Sequence, residues 1–91
     1  PIVYVICNNQ SYRVLKVNMD IYKDLVLGET ENQSKYLAMD FPQALNMAAL
    51  AEAMGVKGVH IDKPDDIGPA LTQAIQSNRP TVLDISIDGS L

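Results

Sequence analysis

The residues of this chain best suited to chemistry stand together at Asn8-Asn9-Gln10-Ser11-Tyr12, directly after the apolar run Ile2-Val3-Tyr4-Val5-Ile6-Cys7 and directly before a helical pattern. An open parallel sheet binds its ligands in such a place, beyond the carboxyl end of a strand and beside a helix N-terminus. An asparagine carboxamide oxygen is a hard, neutral ligand suited to Mg²⁺, and a backbone carbonyl two residues later reaches the same ion when the turn is tight. The same residues also make an ordinary turn and cap a helix, since Asn does both well. Spacing alone leaves the metal role open.

The other reactive side chains read as structural. His60 is the only histidine, and on a strand with no acid at a recognisable spacing it is a structural residue before it is a general acid or base. Cys7 ends an apolar strand and reads as a small buried hydrophobe rather than a reactive thiol. As the single cysteine it allows neither an internal disulfide nor a Cys-based zinc site, which points to the cytoplasm. Asp84 and Asp88 stand four apart on the last strand pattern and share a face, and carboxylates near a chain end read as solvated.

Composition sets the outer limits. Ninety-one residues make one small domain with a modest core. The 47% apolar and 20% charged fractions are those of a folded globular protein, and no stretch has the apolar length of a membrane-spanning helix. Seven basic against eleven acidic side chains, a net charge of -4, disfavour a nucleic-acid partner, whose phosphates require a Lys/Arg surplus. The chain opens at Pro1 without a charged leader and runs straight into a strand, as if cut from something longer.

The elements that must position the Asn pair follow from periodicity. The β-branched run 2–7 reads as a strand buried on both faces. Val14, Val17, Ile21 and Leu25 have helical spacing between Ser11 and about Leu27, with Gly28 as the stop. Residues 29–44 lack a sustained period and read as a long connection with one helical turn near Tyr36-Leu37. Asn46 is placed to cap a helix whose inner stripe is Met47, Leu50, Ala51 and Met54, closed by Gly55. Residues 56–61, interrupted by Gly58, suit an edge strand. Pro64 with Asp65 and Asp66 marks another helix start, its buried face Ile67, Ala70, Leu71, Ala74 and Ile75. Pro69 would cost about 3 kcal/mol in a helix interior, so either the regular helix begins nearer Asp66 or this turn is distorted. Thr81 to Ile87 is the last strand. Strand, helix, loop, helix, strand, helix, strand implies an α/β fold, with parallel pairing through right-handed crossovers.

The residues Ile2 to Lys16, ending the strand in Asn8-Asn9, resemble the close of the thiamine-diphosphate fingerprint, which begins upstream with Gly-Asp-Gly. Leu45 to Val56 is similar to the helix after that family's active-site loop, and Lys63-Pro64-Asp65-Asp66-Ile67 with Arg79 to Ile85 resembles its closing helix and strand. The resemblance covers nearly the whole chain. It implies the C-terminal part of a diphosphate-binding domain, 1–91, in a three-layer α/β/α architecture whose parallel strands are ordered first, third, second, leaving the first strand's outer edge unpaired and prone to self-association. It also implies a 2-oxo acid substrate, and as partners the rest of a parent enzyme and its homo-oligomer subunits.

By that resemblance Asn9 would give Mg²⁺ its side-chain oxygen and Ser11 its carbonyl. The ion would bridge to the diphosphate of thiamine diphosphate, with Tyr12 also beside the cofactor. Tyr36, Met39 and Phe41 would lie near the active site. Tyr12-Arg13-Val14-Leu15-Lys16 is more like the benzoylformate decarboxylases than the acetolactate synthases, where a Trp-Gly pair is usual. The sequence departs from the family pattern in lacking the Gly-Asp-Gly aspartate, since only eight residues precede Asn9, and in lacking the glutamate that a separate domain contributes. The chain by itself is therefore expected to be inactive. The alternative is a small stand-alone α/β binding or regulatory module that shares the ancestry but not the chemistry.

Overall fold

Parallel pairing governs the architecture. In a computed structural model, which describes residues 1–28 and 36–90, the elements run β1 (Val3–Asn8), α1 (Arg13–Leu25), α2 (Met47–Ala53), β2 (Lys57–Ile61), a 3-10 turn (Pro64–Asp66), α3 (Ile67–Gln76) and β3 (Thr81–Ser86). The strands form one sheet in the order β1-β3-β2, as expected. Both pairings are parallel and both begin at Thr81, which faces Val3 on one side and Lys57 on the other. The chain forms two compact units: residues 1–8 with 45–88, and the described residues of 9–44 with Gly89 and Ser90.

In the first unit the alternation of side chains along β3 separates two kinds of packing. One face carries Leu83 and Ile85, which with Ile61 and Ala74 form the buried cluster, and Val3, Val59, Ile67 and Ala70 pack against it. Pro69 falls in the first turn of α3, because Pro64–Asp66 is a separate 3-10 turn and the α-helix starts at Ile67. There its missing N–H breaks no intrahelical bond. Of the expected inner face only Ala74 is fully buried, and Ile75 lies exposed.

On the other face α2 comes in through small residues. Ala48 and Ala51 are its buried positions, while Leu50 and Met54 are 54% and 75% exposed, so the expected Met and Leu stripe is not the core. The reason is close backbone approach. A Cβ on Gly58 would lie 2.1 Å from the Ala48 carbonyl oxygen, and only a glycine lets β2 and α2 meet there. Both ends of α2 follow the sequence reading. Asn46 Oδ1 accepts the Ala49 N–H at 2.9 Å. Gly55, at φ +79, ends the helix with the paired bonds Val56 N–H to Ala51 O and Gly55 N–H to Glu52 O.

Three expectations for the sheet change. β1 is not buried on both faces: Tyr4 and Val5 are 55% and 52% exposed and Cys7 is also exposed, because within the first unit α2 packs over β2 and β3 and α3 touches β1 only slightly. Asp84 is not solvated but 0% exposed. Its Oδ1 accepts from Asn8 Nδ2 at 3.0 Å and its Oδ2 from the Met47 N–H at 3.1 Å, with His60 Nδ1 3.6 Å from the same oxygen. Asp88 lies beyond the end of β3, so the two carboxylates do not share a strand face.

In the second unit α1 is shorter than the expected 11–27, and Gly28, at φ +69, follows it by three residues. Among the described residues none in α1 is buried. The expected loop at 29–44 lies partly outside the described residues. Where it is described, Leu37 and Ala38 form a turn with Ala38 at φ +59, in place of a helical turn, and Asp40 then makes an antiparallel bridge to Ser11.

Replacing Asp84 with Ala removes the acceptor of two bonds, one from Asn8 Nδ2, which keeps its bond to the Leu45 carbonyl, and one from the Met47 N–H, and a buried donor that loses its acceptor costs about 1–3 kcal/mol. Urea denaturation of D84A should show a loss of about 3 kcal/mol, and a loss below the noise of the measurement would remove Asp84 from its central place. G58A should cost about 1–3 kcal/mol by overpacking against Ala48, read from the same curves.

Candidate functional site

The Asn9–Tyr12 segment is shaped by its own local bonds. Asn9 Oδ1 accepts the Ser11 N–H at 3.1 Å, and Gln10 takes up φ +55, the left-handed conformation that folds residue 11 back towards residue 9. This is the tight turn that a shared ligand pair requires. Tyr12 then caps α1 through its carbonyl, which accepts from the N–H groups of Leu15 and Lys16.

The later connection braces the turn. Ser11 and Asp40 face each other in an antiparallel bridge whose bonds come from their neighbours, Tyr12 N–H to Met39 O at 2.8 Å and Phe41 N–H to Gln10 O at 2.9 Å. Ser11 Oγ also donates to Met39 O at 3.2 Å. The Phe41 ring meets Tyr12 edge-on, with centroids 5.1 Å apart and planes at 75°. Lys16 forms an ion pair with Asp40. Tyr36 donates to Asp20, with the Lys23 ammonium 4.7 Å from its ring centroid.

The donor set fits a hard cation in part. A carboxamide oxygen has two lone pairs, so Asn9 Oδ1 can accept from Ser11 and still offer an electron pair to a metal. The bonds of the bridge are made on either side of Ser11, so its own carbonyl takes no part in them. Two neutral oxygens are suitable for Mg²⁺ yet fill only part of an octahedral shell, which leaves room for phosphate oxygens and water. No cluster of three or more His, Cys, Asp or Glu able to hold a metal exists among the described residues. Tyr12 has both backbone groups engaged, so what it offers a ligand is its half-exposed ring and hydroxyl.

The candidate residues Asn9, Ser11 and Tyr12 are thus brought into one turn. His60 lies elsewhere, half exposed beside Asp84 in the first unit. The sequence reading placed Gln10 in the candidate segment without its left-handed role, and it missed the pairing of Asp40 with Lys16. Nothing local marks an ion pair spanning twenty-four positions.

The Lys16 ammonium holds the Asp40 carboxyl below the usual aspartate value, with a hydrogen bond from Ser11 acting the same way. A lowered folded-state value means that the unfolded chain takes up the proton first. The stabilisation is therefore complete above the ordinary Asp range and is lost as pH falls through the folded value. The Tyr36 hydroxyl shifts oppositely, raised chiefly by its bond to the Asp20 carboxylate, so its contribution disappears as pH rises through its folded value. A carboxyl NMR titration should place Asp40 below an unperturbed aspartate and move it back up in Lys16→Met; an unmoved midpoint would mean that Lys16 is not the cause.

Among the described residues no helix is long and apolar enough to cross a membrane. Comparison with known proteins finds YdaP of Bacillus subtilis, 31% identical over 96% of this chain. Sulfoacetaldehyde acetyltransferase of Castellaniella defragrans is 33% identical over 93% of the chain, and acetolactate synthase of Bacillus subtilis 24% identical over 99%. The chain spans only 13–14% of the length of these curated relatives. Residues 1–85 match the family described as "Thiamine pyrophosphate enzyme, C-terminal TPP binding domain". With its parallel β1-β3-β2 sheet and that match over nearly its full length, the chain belongs to the C-terminal thiamine-diphosphate-binding domain family of thiamine-diphosphate enzymes.

Proposed function

We propose that residues 1–91 are the C-terminal part of the diphosphate-binding domain of a thiamine-diphosphate- and Mg²⁺-dependent enzyme acting on 2-oxo acids, and that Asn9 and Ser11 are two of the metal's ligands. The observation that carries this reading is the Asn9–Ser11 turn, in which local bonds bring a carboxamide oxygen and a carbonyl-bearing residue to the carboxyl end of β1. Tyr12 stands next in the chain, and its half-exposed ring would be available to the cofactor.

When bound, the cofactor supplies a carbon nucleophile and an electron sink for making or breaking a bond beside a carbonyl. The part of this chain is to bind and orient. Asn9 and Ser11 hold the cation that neutralises the diphosphate, and the bridge to Asp40 keeps the two oxygens in register. In the family resembled, the glutamate that activates the cofactor comes from a separate domain, so this chain by itself would be inactive and would depend on the rest of a parent enzyme, assembled as a homo-oligomer in the cytoplasm. Two relatives named as an acetolactate synthase and a sulfoacetaldehyde acetyltransferase favour a transferase of that kind over a benzoylformate decarboxylase-like lyase. The run Tyr12 to Lys16 is the feature that keeps the decarboxylase in view.

The test is Asn9→Ala in the parent protein, with thiamine diphosphate binding measured by calorimetry across a Mg²⁺ series. The Mg²⁺ concentration at half-saturation should rise about tenfold or more; an unchanged Mg²⁺ dependence would show that Asn9 is no ligand.

A further inference from the structure

We propose that Gly89 is a positioning residue for the metal-binding turn, the absence of its side chain allowing the segment after β3 to lie directly against the backbone of Asn9. The inference rests on the reading of Asn9 and Ser11 as ligands and goes beyond it, because it assigns a role outside the Asn9–Tyr12 segment.

Three observations carry it. A Cβ built on Gly89 would stand 2.3 Å from the Asn9 carbonyl oxygen, 3.3 Å from its carbonyl carbon and 3.4 Å from its Cβ. The contact is with backbone, which cannot rotate aside as the end of a flexible side chain would. Gly89 is also not among the glycines with positive φ, which are Gly28 and Gly55, so what requires glycine here is space and not a left-handed conformation. Finally, the segment is tied at its next residue: Arg13 Nε donates to the Ser90 carbonyl at 2.9 Å. Arg13 is the first residue of α1, so the segment is fastened just beyond the turn and pressed against its first ligand.

The consequence for a cation is geometric. Mg²⁺ demands near-ideal octahedral placement and tolerates displaced ligands poorly. The Asn9 side chain springs from the backbone that Gly89 touches. Any side chain at 89 therefore moves Asn9 relative to Ser11, or lifts the segment and removes the support. Residues that orient a ligand without touching the metal commonly alter its affinity about 10–100-fold when changed.

The experiment measures thiamine diphosphate binding by calorimetry over a Mg²⁺ series in the parent protein, with the melting temperature of the cofactor-free protein alongside. Gly89→Ala should raise the Mg²⁺ concentration for half-saturation about tenfold, lower the cofactor-free melting temperature too little to unfold the protein at the temperature of the binding measurement, and regain full binding at excess Mg²⁺. Arg13→Ala, which frees the segment without a clash, should shift the Mg²⁺ dependence in the same direction, and it decides the matter if Gly89→Ala does not fold. The proposal is overturned if both variants keep the wild-type Mg²⁺ dependence while Asn9→Ala loses it. It is equally overturned if Gly89→Ala loses cofactor binding only in step with its melting temperature and excess Mg²⁺ restores nothing. If Asn9→Ala itself behaves as wild type, the ligand reading fails first, and that result is distinct from either of the others.

Discussion

A carboxylate sealed from water must be given donors, and in this protein the donors come from separate elements. Asp84 sits on the central strand and draws the Asn8 side chain from β1 and the first N–H of α2 from the crossover, with His60 of β2 alongside. Burying such a charge is costly unless its partners are held in place. Each of those elements is therefore constrained to end where the carboxylate needs it. Asn8 is fastened a second time by donating to the Leu45 carbonyl, and the Ile87 N–H returns to the Asn8 carbonyl. The end of β1 is thus set by bonds that reach residues far along the chain.

That constraint matters because the apolar core is small. Four buried residues, Ile61, Ala74, Leu83 and Ile85, make up its cluster, and the opposite face of the sheet meets α2 through alanines and a glycine. Small residues contribute little transfer free energy but allow backbones to approach, which converts packing into geometric definition. Large apolar side chains of the first unit such as Tyr4, Val5, Leu50 and Met54 remain exposed. The order of the first unit therefore owes more to polar satisfaction and close backbone contact than the 47% apolar composition suggests.

The second unit follows a different logic. Its turn is built by an asparagine that bonds to the backbone two residues on and by a left-handed glutamine, and it is then braced by the later connection through the bridge at Asp40 and the Tyr12–Phe41 ring contact. A ligand pair on a bare loop would be loose. Here the backbone groups of Gln10 and Tyr12, beside the two proposed ligands, are engaged elsewhere.

Much of this was legible in the residues. The β-branched run at 2–7, the helical spacing from Val14 to Leu25, the Asn46 cap and the Gly55 stop are local signals, and local signals follow from backbone sterics and from the donors a helix end leaves unpaired. The family resemblance rested on such segments in order, and the parallel strand order came with it. What the sequence could not reveal was which side chains meet across distance. Asp84 read as solvated because it stands in an alternating strand near the chain's end, and only the convergence of Asn8 and Met47 made burial tolerable. The alanines of α2 outranked its Met and Leu residues because Gly58 admits its backbone, a fact of pairing between elements. Nothing local marked Gly89 as a contact of Asn9 until the fold laid the two together. The sequence by itself determined the elements, their order and the residue types at the turn. The tertiary structure alone decided which polar groups are buried and which backbones touch, because those depend on contacts between residues that no local periodicity relates.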